Sequence, residues 1–107
     1  KSEKAAAMEK QRLMWEQFCQ KYSGRLSAEE TRASREEALQ MLEKKDTLPP
    51  IRLKIAKYIS DGYTLERNLP KALEYLEIAR DADPESQAAK KLEPWIDNMR
   101  KHINQEK

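Results

Sequence analysis

The stretch Gly62–Ala72, with the sequence GYTLERNLPKA, decides the fold because it predicts the end of one helix and the start of the next. Glycine commonly closes a helix, so we expect the preceding helix to end at Gly62. Asn68 can cap the following helix with its side chain, and Pro70 fits the first helical turn. The stretch therefore predicts two helices joined by a short loop.

Apolar residues at helical spacing, together with helix end signals, extend this pattern along the chain. The capping-box pattern at Ser27–Glu30 and the pair Pro49-Pro50 each predict a helix start. Asp83-Pro84 predicts the start of a last helix. Its apolar stripe keeps its phase across Pro94, so we expect one helix kinked at that proline. The predicted helices span about residues 2–22, 27–45, 49–62, 69–82 and 84–107.

Composition favours an all-α protein with a single domain. Charged residues make up 37% of the 107 residues, and valine, which strands favour, is absent. A chain of this length buries one modest core, so we expect one helical domain over residues 1–107. Residues 1–50 are expected to form an N-terminal helical hairpin, residues 51–89 a second hairpin, and residues 84–107 a C-terminal capping helix.

An internal repeat supports the hairpin architecture. A shift of 34 residues aligns Ala38-Leu39 with Ala72-Leu73, Leu42 with Leu76, and Pro50 with Pro84. That period is typical of two-helix repeats, so the first hairpin is a candidate degenerate copy of the second. Small side chains such as Ala72 and Ala79 are expected where the two helices of a hairpin approach most closely.

The segment from Ile51 to about Ala89 resembles the tetratricopeptide-like repeats of the Sel-one-like type. The residues that carry the pattern are Ile51, Ile55, Ala56, Ile59, Gly62, Leu65, Asn68, Lys71-Ala72, Leu76, Ala79 and Asp83-Pro84. The chain departs from it at Thr64, where a second glycine is common. The resemblance implies antiparallel helical hairpins and a non-catalytic adaptor that binds other proteins, in a bacterial envelope or another multiprotein assembly.

Six residues are candidates for holding a partner peptide or helix in a groove between the third and the last predicted helix. They are Arg52, Lys54, Lys57, Tyr58, Trp95 and Arg100. Basic side chains at a groove rim would select an acidic partner, and aromatic side chains are frequent anchors. The sequence favours two plainer interpretations, which stay open beside this one: a solvated helix face for the basic residues, and packing in the core for Trp95 and Trp15.

The sequence does not predict catalysis, a metal site or a cofactor. A cysteine–histidine nucleophile needs adjacent side chains, whereas Cys19 and His102, each the only residue of its type, lie on different predicted helices. Two glycines cannot form a phosphate-binding loop. We therefore expect no enzymatic activity, a buried Cys19, and an exposed or half-packed His102 near the C-terminus.

Two other partner classes stay open as alternatives. Basic residues number 21 and acidic residues 19, spread evenly along the chain, which does not favour nucleic-acid binding. An accessory domain of a nucleic-acid-binding complex is nevertheless one alternative. The other is a homodimer through the face of Met8, Trp15 and Tyr22.

The compartment depends on what precedes Lys1. No apolar run approaches the roughly 20 residues that a membrane-spanning helix needs. If a signal was removed before Lys1, we expect a periplasmic or lipid-anchored envelope protein, and otherwise a cytoplasmic one.

Overall fold

The protein is built from α-helices, as its composition predicts. The computed structural model describes residues 2–105, and this part of the chain contains five helices and no strand. The helices are α1 (Glu3–Lys21), α2 (Ala28–Glu43), α3 (Pro49–Leu65), α4 (Leu69–Ala82) and α5 (Gln87–Gln105). The prediction of an all-α fold is therefore confirmed.

α3 lies at the centre of the fold, because it contacts α1, α2 and α4, and α4 in turn contacts α5. The hairpin of α3 and α4 is packed most extensively, and Ala56, Ala72 and Ala79 within it are fully buried. The Ser60 hydroxyl of α3 donates a hydrogen bond to the Ala72 carbonyl of α4 at 2.6 Å. Small side chains let two helix axes approach closely, so this hairpin packs through the alanines that the sequence singled out.

Two groups of buried apolar side chains hold the helices together. The first group joins α3, α4 and α5 and consists of Leu53, Ala56, Leu76, Ala79, Ala89, Leu92 and Ile96. The second joins α1, α2 and α3 and consists of Trp15, Phe18, Ala38, Ile51, Ile55 and Ile59. Leu42 of α2 packs against both groups, so they are connected into one core.

Aromatic side chains hold α1 on α3. The buried ring of Trp15 lies 5.0 Å from that of Phe18 and 5.8 Å from that of Tyr58, measured between centroids. Met8 and Tyr22 pack against the same core. A homodimer through Met8, Trp15 and Tyr22 would require α1 to leave α3, so this face serves the fold of one chain.

Two predicted helix starts are confirmed by their hydrogen bonds. Ser27 and Glu30 form the full capping box, in which the Glu30 N–H donates to Ser27 Oγ at 3.1 Å and the Ser27 N–H donates to the Glu30 carboxylate at 3.0 Å. Asn68 caps α4, since its side-chain oxygen accepts from the Lys71 N–H at 3.4 Å.

The expected stop of α3 at Gly62 is wrong, because α3 continues through this glycine to Leu65. A glycine inside a helix costs about 1 kcal/mol relative to alanine, and the added turn offsets this cost because it places the Tyr63 ring against that of Tyr75 on α4, 5.8 Å between centroids. A β-carbon built on Gly62 would meet nothing closer than the tip of the Arg35 side chain, at 3.9 Å. Position 62 therefore does not require glycine, and the glycine there does not end the helix.

α3 instead closes in a Schellman motif three residues further on. The Asn68 N–H donates to the Tyr63 carbonyl at 2.9 Å, and the Arg67 N–H donates to the Thr64 carbonyl at 3.0 Å. Arg67 takes the left-handed φ of 61° that this motif requires. The chain thus ends α3 at a position where arginine, rather than glycine, adopts the unfavourable backbone conformation.

Replacing Arg67 with glycine is expected to raise the free energy of unfolding by about 0.5–1 kcal/mol. Glycine adopts a positive φ without the roughly 1–2 kcal/mol steric cost of a β-carbon, although it also loses more backbone entropy on folding. Urea denaturation followed by circular dichroism measures the change. The control is Arg67→Ala, which keeps the β-carbon and should not stabilise, and an equal gain in both variants would contradict the explanation.

α5 begins later than the sequence predicted. Ser86, and not Asp83-Pro84, caps it: Ser86 Oγ accepts from the Ala89 N–H at 3.1 Å and donates to the Asp83 carbonyl at 2.7 Å. Residues 83–86 therefore form a turn between α4 and α5. The single last helix is confirmed, because α5 runs without a break across Pro94, and the kink at this proline stays a prediction.

Candidate functional site

The six predicted binding residues lie in separate places, and only Lys57 and Trp95 lie together. The Lys57 ammonium is 5.0 Å from the centroid of the Trp95 ring and 3.0 Å from the Asp61 carboxylate. Trp95 is 54% exposed, so the alternative that this tryptophan packs in the core is wrong. The pair links α3 and α5 at the protein surface.

Arg52 and Tyr58 have structural roles. The guanidinium of Arg52 donates to the carbonyls of Leu42 and Lys44, at 3.0 and 2.9 Å, where α2 ends. The Leu42 carbonyl lies in the last turn of α2 and has no partner within the helix, so Arg52 caps α2 and is not free at a rim. The Tyr58 hydroxyl donates to Ser34 Oγ at 2.9 Å, and its ring packs against Trp15 and Phe18.

Arg100 and Lys54, the last two predicted residues, differ in their ion pairs. Arg100 forms an ion pair with Glu77 and lies 3.8 Å from Asp97, so it ties α5 to α4. Lys54 is exposed on α3 and takes part in no ion pair within residues 2–105. Of the four predicted basic residues, three thus contact a neighbouring helix: Arg52, Lys57 and Arg100.

Trp95 stands at the edge of an open cleft between α3 and α5, with α4 as its floor. This α3–α5 cleft has a volume of about 390 Å³. Its lining consists of Ser60, Asp61, Thr64, Leu69, Leu76, Trp95, Asn98, Met99 and His102. The cleft lining contains one carboxylate, that of Asp61, and Lys57 neutralises its charge.

A second open cleft lies on the other side of Asp61, between the first turns of α2 and the last turns of α3. This α2–α3 cleft has a volume of about 410 Å³. It is lined by Tyr22, Gly24, Arg25, Leu26, Thr31, Ser34, Arg35, Tyr58, Asp61, Gly62 and Leu65. Leu65 is 82% exposed, although it is a large apolar residue at the end of α3. The last two turns of α3 therefore lie between two clefts.

The wall of the α2–α3 cleft is fixed by Arg35. Its guanidinium pairs with Glu66 at 2.8 Å and lies 4.4 Å from the centroid of the Tyr63 ring. The Arg35 side chain is 13% exposed, so this ion pair is screened less than the others at the surface. It joins α2 to the Schellman turn of α3.

Sequence reasoning missed Leu65 and Met99. Leu65 was assigned to the loop, because the helix was expected to stop at Gly62. The signal that could have found it is spacing: Leu65 follows Tyr58 by seven residues, which places both on one face of a longer helix. Met99 belongs to the predicted apolar stripe of α5, and only the position of α3 shows that it lines a cleft.

Nucleophilic chemistry is not favoured by the positions of Cys19 and His102. The prediction that Cys19 is buried is wrong, because the residue is exposed on α1. Partial desolvation raises the pKa of its thiol, which lowers the fraction of reactive thiolate at neutral pH. His102 lies in the lining of the α3–α5 cleft, where Cys19 is not found, and its Nδ1 is 3.3 Å from the Asn98 carbonyl.

The described part of the chain offers no metal site: no three His, Cys, Asp or Glu side chains within residues 2–105 converge as ligands. None of the helices in this range is both long enough and apolar enough to cross a membrane.

Comparisons with known protein families, with curated proteins and with solved structures returned no match to this chain. The fold defines an all-α protein of packed helical hairpins. Two open clefts flank the last turns of α3 on its surface.

Proposed function

We propose that the protein is a non-catalytic adaptor that binds a peptide or helix of a partner protein across the α3 face. The α3 face is the surface formed by the α3–α5 cleft and the α2–α3 cleft on either side of Asp61. The tetratricopeptide-like resemblance of residues 51–89 supports this reading, since such repeats bind peptides between helices. It also supports placing the adaptor in a bacterial envelope or another multiprotein assembly.

The exposure of Trp95 is the single observation that carries the proposal. A tryptophan buries a large apolar area when it is covered, and tryptophan is enriched among the residues that dominate binding energy. Trp95 stands beside a cleft that contains Leu69, Leu76 and Met99. A partner side chain inserted there would cover Trp95 and fill the cleft together.

Nucleic-acid binding finds less support in the surface charges. Arg12 pairs with both Glu9 and Glu16, and Arg80 pairs with both Asp81 and Glu93. The release of counterions from the phosphate backbone is the main source of affinity for nucleic acid. Basic side chains that are already neutralised by acidic neighbours release few of them. A gel shift at low ionic strength that shows binding would favour this alternative.

Selection of random peptides displayed on phage tests the proposal. Peptides enriched on the wild-type protein are expected to lose about 30-fold in affinity for Trp95→Ala, the factor that a hot-spot residue contributes. Fluorescence polarisation with labelled peptides measures the dissociation constants. Trp95 is half-exposed, so the variant is expected to keep the circular dichroism spectrum of the wild type.

Leu13→Ala is the matched control for this experiment. Leu13 is an apolar residue of α1 with 45% exposure that lines neither of the two clefts. Its truncation should leave the affinities unchanged. Peptides that bind both variants as tightly as the wild type, or a selection that enriches none, would remove the α3 face as the binding surface.

A further inference from the structure

A third apolar surface lies between α1 and α2, and it shares no lining residue with the α3 face. Two adjoining cavities of about 380 and 390 Å³ have Met14, Met41 and Lys44 in common. We call their combined surface the α1–α2 groove. Its remaining lining consists of Ala7, Lys10, Gln11, Gln17, Phe18, Lys21, Glu37, Gln40, Asp46, Thr47, Ile51 and Ile55.

The groove exists because α1 packs on α3 rather than closely on α2. The backbone of α1 approaches that of α3, and α2 also contacts α3, so the groove lies between α1 and α2 with α3 beneath it. Ile51 and Ile55 of α3 are buried at the bottom of the groove. Met14 on the α1 wall is 38% exposed, and Met41 faces it from α2. The result is a concave apolar surface between two helices.

The methionines on the walls of the groove favour the binding of a helical ligand. Methionine has a flexible, polarisable side chain that adapts to different apolar partners, and it is common on surfaces that bind amphipathic helices. A groove walled by two helices admits a third helix that lays its apolar stripe along the bottom.

The charges of the groove specify the polar face of that ligand. Lys10 on the α1 wall and Lys44 on the α2 wall form no ion pair and no side-chain hydrogen bond within residues 2–105. Asp46 is the acidic residue in the lining of the cavity that contains both lysines, which leaves that cavity an excess of one positive charge (two Lys, one Asp).

The other charged residues of the groove neutralise each other. Lys21 pairs with Glu37 at 3.2 Å, and the Tyr22 hydroxyl donates to the same carboxylate at 2.6 Å. This hydrogen bond lowers the pKa of Glu37, so its charge is retained to balance that of Lys21. The net positive charge of the groove therefore comes from the two amines at Lys10 and Lys44.

We propose that the α1–α2 groove binds an acidic amphipathic helix of a partner protein. The apolar stripe of the helix would contact Met14, Met41 and Ile55. Acidic residues flanking the stripe would pair with Lys10 on one side and Lys44 on the other. This site is independent of the α3 face, so the protein would hold two partner segments at once.

Methionine-methyl NMR tests the proposal directly, because the methionines report on two different surfaces. Met14 and Met41 lie in the groove, whereas Met99 lies in the α3–α5 cleft. The probe is a synthetic helix of about 14 residues, roughly 21 Å long, with leucine in an i, i+3, i+4 pattern and glutamate elsewhere. Its addition to the carbon-13-labelled full chain is expected to shift the Met14 and Met41 methyl signals and to leave Met99 unchanged.

Charge variants test the role of the two amines. Lys10→Gln with Lys44→Gln is expected to weaken peptide binding at least tenfold at low ionic strength, an effect that salt diminishes. The matched control is Lys90→Gln with Lys91→Gln, which removes the same charge from exposed positions on α5 outside the groove. The same peptide with lysine in place of glutamate should not shift the groove methyl signals.

Several results would overturn the proposal. One is the absence of Met14 and Met41 shifts at a peptide concentration of about 1 mM, which corresponds to a binding free energy weaker than about −4 kcal/mol. A second is a shift of Met99 instead, and a third is equal binding by the two charge variants. Shifts caused by phosphatidylglycerol vesicles but not by the peptide would assign the groove to a membrane surface.

Discussion

Replacing Ile96 with alanine is expected to lower the free energy of unfolding by about 2–5 kcal/mol, the range for truncating a buried aliphatic side chain. Ile96 is fully buried among side chains of α3, α4 and α5. Its removal loses apolar burial and leaves a cavity that three packed helices cannot close. Since small domains are stable by roughly 5–15 kcal/mol, the loss is a large part of the total. Urea denaturation measures it.

Trp95→Ala is the control for this prediction, because Trp95 precedes Ile96 directly on α5. Tryptophan is the larger side chain, but 54% of its surface is exposed. We expect its truncation to cost less than about 1 kcal/mol, as for other surface positions. A loss equal to that of Ile96→Ala would show that Trp95 is part of the core, and it would also weaken the proposal for the α3 face.

Replacing Ala79 with leucine is expected to destabilise the protein by about 1–3 kcal/mol or more, because the added carbon atoms overpack a closed site. Ala79 of α4 is fully buried against Leu53 and Ala56. A larger side chain there would push α4 away from α3 and break the most extensive helix contact in the fold. Thermal unfolding followed by circular dichroism is the measurement.

Ala6→Leu provides the matched substitution at an exposed position of α1. Leucine is nearly as good a helix former as alanine, so this variant should change the free energy of unfolding by less than about 0.5 kcal/mol. If Ala79→Leu were equally neutral, α3 and α4 would have to be farther apart than the buried alanines indicate. The helical-repeat reading of residues 51–89 would then lose its physical basis.

Helix positions could be predicted largely from the sequence, because their signals act over three or four residues. The Ser27–Glu30 capping box and the cap at Asn68 need only their own backbone neighbours to form hydrogen bonds. One error occurred where a local signal competed with packing, and another where two local signals competed. At Gly62 the contact between α3 and α4 outweighs the weak helix propensity of glycine, and at Asp83-Pro84 the nearby Ser86 supplies the cap instead.

The candidate site could be predicted only in part. Lys57 and Trp95 were expected in one groove and do lie together, 5.0 Å apart. Arg52 and Tyr58 share their helix with Lys57 and looked equally available. Their side chains instead bond to α2, the preceding helix. A sequence pattern shows which face of a helix a residue occupies, but it does not show which neighbour that face meets.

By itself, then, the sequence determined the all-α class, the number of helices and most of their ends, because each depends on hydrogen bonds and periodicity within a short segment. Tertiary structure alone decided that Trp95 is exposed beside a buried Ile96. It also decided that Cys19 faces solvent and that α1 leaves a groove beside α2. The physical reason is that burial depends on how whole helices are arranged around α3, and this arrangement involves contacts between residues far apart in the sequence.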